Sequence, residues 1–252
     1  MNIAVVTGAS SGLGREFVKQ ISERYQTIDE IWVLARRKDR LLELKNDIKN
    51  ITVRPIACDV TNDGDLEQYV NLLKVHSPSV RILVNAAGYG MIGKFHELND
   101  GDNVGMCKVN CVALTRMIDI SLPYMNKRKA NIINIASAAA FLPQPSFAVY
   151  AATKSYVLSL STALNKELKE QNITVTAVCP GPVETEFFDI AEKYNSVKIY
   201  KKLFRAKAYD VVKQALEDAY HDSHISVYGF TMKAFRIVAK IVPHNFAMKF
   251  IN

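Results

Sequence analysis

Tyr150 and Lys154 stand four residues apart in the run Tyr150-Ala151-Ala152-Thr153-Lys154, and on a helix that spacing puts a phenol and an ammonium on one face. Ser137 lies thirteen residues upstream, at the end of the apolar run 131–136, which reads as a buried strand. A strand end offering a hydroxyl beside a helix offering a phenol and an amine can move a proton. Tyrosine titrates near 10, too high to trade protons easily at neutral pH. A positive charge about 4 Å away, at an effective dielectric near 20, stabilises a phenolate by roughly 4 kcal/mol. That lowers the pKa by up to roughly three units. On this expectation Tyr150 is a general acid/base near pH 7, and Ser137 steadies the substrate oxygen as charge develops on it. The same pair also occurs on helices with an exposed Lys and a core Tyr, so its meaning depends on the elements that position it.

Those elements alternate between strand and helix. Residues 3–6 read as a strand, followed by Thr7-Gly8-Ala9-Ser10-Ser11-Gly12-Leu13-Gly14 and a helical pattern to about Tyr25. Strand, glycine turn and helix form the geometry in which backbone N–H groups and a helix N-terminus hold a phosphate. The spacing is G-x-x-x-G-x-G, and alone it suits a nucleotide cradle and a tight loop equally. The second strand, 30–35, ends in Ala35-Arg36-Arg37-Lys38, where a NAD site would place an acid. A guanidinium there matches a 2′-phosphate, although the run also reads as a solvated basic loop opening a helix. The residues favour NADP.

A helix over 39–50 leads to a strand over 52–58 and then Asp59-Val60-Thr61, where Asp59 is a helix cap or an adenine contact. A helix over 63–76 and a strand over 81–84 precede Asn85-Ala86-Ala87-Gly88, small residues that let backbone approach backbone or cofactor. Asn110 falls within a long apolar pattern over 100–125, a disfavoured mid-helix residue that needs a solvent face or a job. After the strand at 131–136 come a helix over 148–171, a strand over 173–178 and the rigid turn Cys179-Pro180-Gly181-Pro182-Val183-Glu184-Thr185. A last helix and strand read over 209–222 and 224–228. Near-continuous apolar strands alternating with helices predict one α/β domain over 1–252, a Rossmann-like doubly wound parallel sheet flanked by helices. The singled-out residues fall at carboxyl ends of strands or at helix starts, where such sheets bind ligands.

Composition narrows the class. Apolar residues make up 49% of the 252-residue chain, enough for a sizeable core. No run of about 18 apolar residues predicts a spanning helix. The chain enters its first strand at once, leaving no room for a signal peptide. Cys58, Cys107, Cys111 and Cys179 form no CxxC pair; they predict a reduced cytoplasm and no metal site. The net charge of +7 is local: residues 1–192 balance 21 basic against 21 acidic, and residues 193–252 hold 11 against 4. That asymmetry argues for a role of the C-terminus, not for a nucleic-acid-binding protein.

Assembled in order, these motifs resemble the short-chain dehydrogenase/reductase family over about residues 2–228. The family's TGxxxGxG stands here as Thr7 to Gly14, its NAAG as Asn85 to Gly88, and its PG as Pro180-Gly181, with Thr185 at the nicotinamide-amide position. The family's Asn, Ser, Tyr, Lys tetrad falls on Asn110, Ser137, Tyr150 and Lys154. The resemblance implies an NADP(H)-dependent enzyme passing hydride between nicotinamide and the carbonyl or secondary alcohol of a moderately apolar substrate. Tyr150 would be the general acid/base, and Lys154 would bind the ribose hydroxyls and depress the phenol pKa. Asn110, in a locally disturbed helix, would hold a water leading from Lys154 to solvent. Gly8, Ser10 to Gly14, Asp59, Val60 and Val183 join the motif residues around the dinucleotide. Arg36 would be the main 2′-phosphate contact and Arg37 its assistant; Ser11 stands where many NADP-preferring members carry a basic residue. The resemblance leaves hydroxysteroid and 3-oxoacyl-type dehydrogenases open, beside a catalytically idle dinucleotide-binding module. It also implies a homodimer or homotetramer through the helices near 100–125 and 148–171.

Residues 186–206 are where the family carries a substrate lid, and Phe187, Phe188, Tyr194, Tyr200 and Phe204 there suit an apolar substrate. Beyond Gly229 a C-terminal helical extension places Lys233, Arg236 and Lys240 opposite apolar residues, with Pro243 ending it and Phe246, Met248, Phe250 and Ile251 beyond. Such a helix lies on an anionic membrane, or packs across the chain's own cleft or a partner subunit.

Overall fold

The computed structural model describes residues 1–99, 101–125, 129–195 and 205–243. Tyr200, Phe204, Phe246, Met248, Phe250 and Ile251, expected in the lid and tail, lie outside them.

The strands are β1 (Asn2–Thr7), β2 (Glu30–Ala35), β3 (Thr52–Ala57), β4 (Ser79–Asn85), β5 (Ala130–Ile135), β6 (Ile173–Val178) and β7 (Ile225–Ser226). Among the described residues they form a seven-stranded sheet in the order β3-β2-β1-β4-β5-β6-β7, and every pairing is parallel. Order reverses between β1 and β4, so a crevice opens at the carboxyl ends of these two strands. The central strands are apolar on both faces because each face is covered. One core packs Trp32, Leu34, Tyr69, Ile132 and Val175; the other packs Val6, Phe17, Ile31, Val84 and Val212. Trp32 is fully buried, edge-on to Tyr69 with ring centroids 6.2 Å apart.

Helices α1 (Gly12–Arg24), α2 (Lys38–Asp47) and α3 (Asp63–His76) follow the first three strands. α3 is capped by Asn62, whose side chain accepts from the Asp65 N–H, with Asp63 and Asp65 in its first turn and Lys74 and His76 in its last. Asp59 is therefore not the cap. Its carboxylate accepts instead from the Thr61 N–H and hydroxyl, at 2.9 and 2.7 Å.

The pattern over 100–125 is not one helix. α4 (Asp102–Cys107) runs into a π-helical turn, Lys108–Ala113, and then α5 (Leu114–Ser121). Asn110 sits inside that turn. α6 (Ala148–Glu167) ends earlier than its periodicity predicts, because the chain tightens into a 3₁₀ turn at Lys169–Gln171 and Asn172 takes φ +61° to enter β6. α2 likewise stops at Asp47 and β7 is only two residues long. Short α7 (Phe187–Ala191) follows β6, and a parallel bridge joins Val183 to Ala206. α8 (Ala208–Tyr220) packs on α1, and α9 (Phe230–Ile241) ends before Pro243 as expected.

Candidate active site

The crevice is floored by backbone. Gly8 has φ +66°, and a Cβ there would lie 2.7 Å from the Ala87 nitrogen. A Cβ on Gly14 would lie 2.3 Å from the Gly8 carbonyl oxygen. Only glycine lets the first turn, α1 and the Asn85-Ala86-Ala87-Gly88 turn meet this closely. Thr7 fastens the junction: its hydroxyl oxygen accepts from the N–H groups of Ala86 and Ala87, at 3.1 and 3.2 Å. A buried chain continues inward, with the Asn85 amide donating to Asn134 and the Asn134 amide donating to Ser161. The Asn85 amide oxygen is buried without a partner among the described residues.

The start of α1 faces this crevice with no side-chain cap from Ser11 and no acid in its first turn. Its N–H groups and dipole fit a pyrophosphate. Gly12, at φ +52°, faces Thr185 across the crevice, since a Cβ there would lie 3.3 Å from the Thr185 side chain. Val60 and Val183 are buried nearby.

The basic run after β2 holds its arginines in different settings. Arg36 is 77% exposed, with only a 4.0 Å approach to Asp59. Arg37 folds over the glycine turn, donating to Ser11 Oγ at 2.8 Å and to Ser10 Oγ at 3.1 Å. It also pairs with Glu186 at 3.0 Å, and Arg40 holds the other oxygen of that carboxylate. Hydrogen bonding from Arg40, with Arg37 next, pulls the Glu186 carboxyl below its ordinary value. Arg40 and Glu186 escaped the sequence reading. Arg40 had a signal, since it lies one helical turn beyond Arg36; Glu186 had none, being 146 residues from Arg40.

At the other end, Ser137, Tyr150 and Lys154 do converge. Ser137 lies two residues past β5 in extended conformation, and its hydroxyl oxygen accepts from the Ala139 N–H, capping a 3₁₀ turn at Ala138–Phe141. The Ala138 N–H donates to the Pro180 carbonyl, joining that turn to Pro180-Gly181. α6 presents Tyr150 and Lys154 on one face as the spacing required. Lys154 is 5% exposed; its ammonium donates to the Ile135 carbonyl at 2.7 Å and lies 5.6 Å from the Tyr150 ring centroid. Asn110 Nδ2 donates to the Tyr89 carbonyl and to Thr153 Oγ1, and its Oδ1 accepts from the Tyr89 N–H. Its amide is thus occupied by Tyr89 and Thr153. Gly88 lies between Asn110 and Lys154, because a Cβ there would be 2.9 Å from Asn110 Oδ1 and 3.4 Å from Lys154 Nζ.

The expected depression of the phenol pKa is overturned. Phe147 stacks on Tyr150 with centroids 4.3 Å apart, Phe187 closes at 5.4 Å, and the ring is buried. Burial pushes the phenol up to about 12, with the Ser137 hydroxyl pulling weakly the other way. Burial also pushes the Lys154 amine down to about 8. A charged neighbour about 4 Å away in a moderately polar medium would have lowered the phenol pKa; this pocket is drier, and loss of solvation sets the direction of both shifts.

A third apolar cluster, apart from the two sheet cores, surrounds Tyr150 with Met91, Met106, Ala139 and Ala151. Phe187 and Tyr194, from the segment after β6, pack on it, and Tyr194 hydrogen-bonds Asp102 of α4 at 2.7 Å. Phe147 was not singled out in the sequence, because only tertiary packing reveals its stacking.

An uncharacterized oxidoreductase of Staphylococcus epidermidis is 31% identical over 235 residues, covering 92% of this chain and 96% of the relative. A short-chain dehydrogenase from Sphingobium yanoikuyae, solved with NADPH, superposes with a TM-score of 0.82 at 26% identity, covering 100% of this chain and 97% of that one. A bulky-bulky ketone specific alcohol dehydrogenase from Comamonas testosteroni has a TM-score of 0.78 at 25% identity, with 100% and 95% covered. The sequence profile of the short chain dehydrogenases matches residues 2–195, most of the domain just described. This chain belongs to that family of nicotinamide-dinucleotide oxidoreductases.

Proposed function

We propose that the chain is an NADP(H)-dependent reductase and dehydrogenase of a moderately apolar carbonyl or secondary alcohol, with Tyr150 as general acid/base. The observation that carries this reading is the convergence of Ser137, Tyr150 and Lys154 inside an apolar cluster beside the bare start of α1. A bound nicotinamide dinucleotide supplies or accepts the hydride. Tyr150, held protonated by burial, donates to a carbonyl oxygen that becomes an alkoxide, a stronger base than phenolate. Ser137 has its oxygen on the Ala139 N–H and its hydroxyl beside the Tyr150 phenol, and it would turn that proton to the substrate oxygen. Lys154 holds a movable proton behind the phenol and is within reach to bind ribose hydroxyls. Asn110, held in the π turn and bonded to Tyr89 and Thr153, fixes the Tyr89 backbone next to Gly88 and so keeps Gly88 against Lys154. Phe147, Phe187 and Met91 exclude water from the reacting centre.

The choice of NADP(H) over NAD(H) rests on Arg36, Arg37 and Arg40 at the end of β2, where no acid stands for a ribose hydroxyl. The apolar lining favours a bulky ketone as the first compound to try, the class named for the Comamonas relative. The test is turnover of assorted ketones, aldehydes and secondary alcohols with NADPH and with NADH. NADPH should support the faster reaction, and Tyr150→Phe should lose about 10³-fold in kcat while still binding dinucleotide. Preference for NADH would overturn the cofactor reading; full turnover by Tyr150→Phe would overturn the mechanism.

A further inference from the structure

Helix α9 is apolar on two sides and packed on one. Its inner side rests on the active-site rim: the Met232 sulfur lies against Gly181, the Phe235 ring is 6.1 Å from Phe141, and Ala239 is buried. Its outer side carries Phe230, Ala234, Ile237, Val238 and Ile241, spaced i, i+4, i+7, i+8 and i+11, a single stripe. Phe230 is 85% exposed, Ile237 60% and Ile241 76%. Water-facing side chains of this size in one row mark a surface that something else covers.

The charges beside the stripe identify the occupant. Lys233 and Lys240 are both exposed and lie along one edge of it. Residues 229–252 contain Lys233, Arg236, Lys240 and Lys249 and no Asp or Glu. Two-fold pairing of the stripe with a second copy would bring lysines against lysines with no carboxylate in the segment to answer them. An anionic bilayer satisfies both features, since its acyl boundary takes the stripe and its headgroups take the ammonium groups. Among the described residues no helix is long and apolar enough to cross a membrane, so contact of this kind lies in the plane of the interface. We propose that α9 is a peripheral anchor that seats the protein on anionic lipid surfaces, stripe inward and lysines at the headgroups.

The test is sedimentation of the full-length protein with vesicles of phosphatidylcholine alone and of phosphatidylcholine with phosphatidylglycerol, in low and high salt. The wild type should sediment with the anionic vesicles about tenfold more than with the neutral ones, and high salt should release it. Ile237→Glu/Ile241→Glu should abolish sedimentation, and Lys233→Ser/Lys240→Ser should weaken it and remove the salt dependence. Unchanged dinucleotide affinity in each variant reports an intact fold. Equal sedimentation with both vesicle types, or with neither, overturns the proposal, and this wild-type comparison stands even if a variant fails to fold. Light scattering covers the rival: if Ile237→Glu/Ile241→Glu leaves lipid binding intact and dissociates an oligomer, the stripe is a contact between copies and the proposal fails.

Discussion

The two ends of the crevice hold their cations in opposite ways. Arg37 and Arg40 sit at a solvent-exposed rim, and their order comes from directional partners: two serine hydroxyls and both oxygens of Glu186. Lys154 sits on the floor, nearly sealed, with a single carbonyl acceptor among its described hydrogen bonds. At the rim, pairing lowers the Glu186 pKa. On the floor, burial moves the phenol and the amine in opposite directions, toward their neutral forms. Recognition of a phosphate needs charge that solvent keeps inexpensive, while proton transfer needs groups whose two protonation states lie close in energy where water is excluded. One site therefore spans two dielectric regimes.

The sharpest way to break this comparison is at the floor. Lys154→Met should cost about 10³-fold in turnover if the amine is the proton reserve behind Tyr150. It should also change stability with a definite sign. The amine titrates near 8 folded against 10.5 for its ordinary value. Between these the unfolded chain binds more protons, so the wild type gains stability as pH rises through that window. Denaturant titrations should show the wild type gaining roughly 2 kcal/mol relative to Lys154→Met from pH 8 to pH 10. No difference in slope would place the amine in a wetter setting than the one described here.

At the rim, Arg36→Asp should swing the ratio of kcat/KM for NADPH over NADH by about 100-fold toward NADH, since it removes an attraction and adds a repulsion at the ribose. Arg37→Ala should lower NADPH affinity by about tenfold and also loosen Glu186. If Arg37→Ala has the larger effect, then the guanidinium over the serines is the principal phosphate contact and Arg36 the assistant. The smallest effect belongs to Glu186→Gln. Glu186 is a carboxylate occupying the cations a phosphate would use, so its neutralisation should tighten NADPH by about threefold and leave NADH unchanged. Titration of both dinucleotides against the variant checks this; equal tightening of both would mean that Glu186 acts through the lid instead.

Much of this was legible in the chain. Near-continuous apolar strands required a sheet covered on both faces, and the strand–glycine–helix order allowed a turn whose backbone faces a ligand. Asn110 stood out because asparagine is a poor mid-helix residue, and the π turn around it is what resolves the conflict. Asp59 was left between a helix cap and an adenine contact; the observed acceptance by Asn62 from the Asp65 N–H removes the first of these. A basic side and an apolar side of α9 were visible in the sequence, but not which apolar residues would be left facing water.

By itself the sequence determined the periodicities, the turns that only glycine permits, and the four-residue step that sets Tyr150 above Lys154, because these are local steric and helical constraints. The tertiary structure alone decided how dry that pair would be. Phe147 reaches Tyr150 across a turn, Phe187 reaches it from a segment 37 residues away, and solvation depends on every neighbour that excludes water. It likewise decided that Glu186 would bridge Arg37 and Arg40, since a contact between residues so distant in the chain exists only once the segment after β6 has crossed the carboxyl edge of the sheet to the turns after β1 and β2.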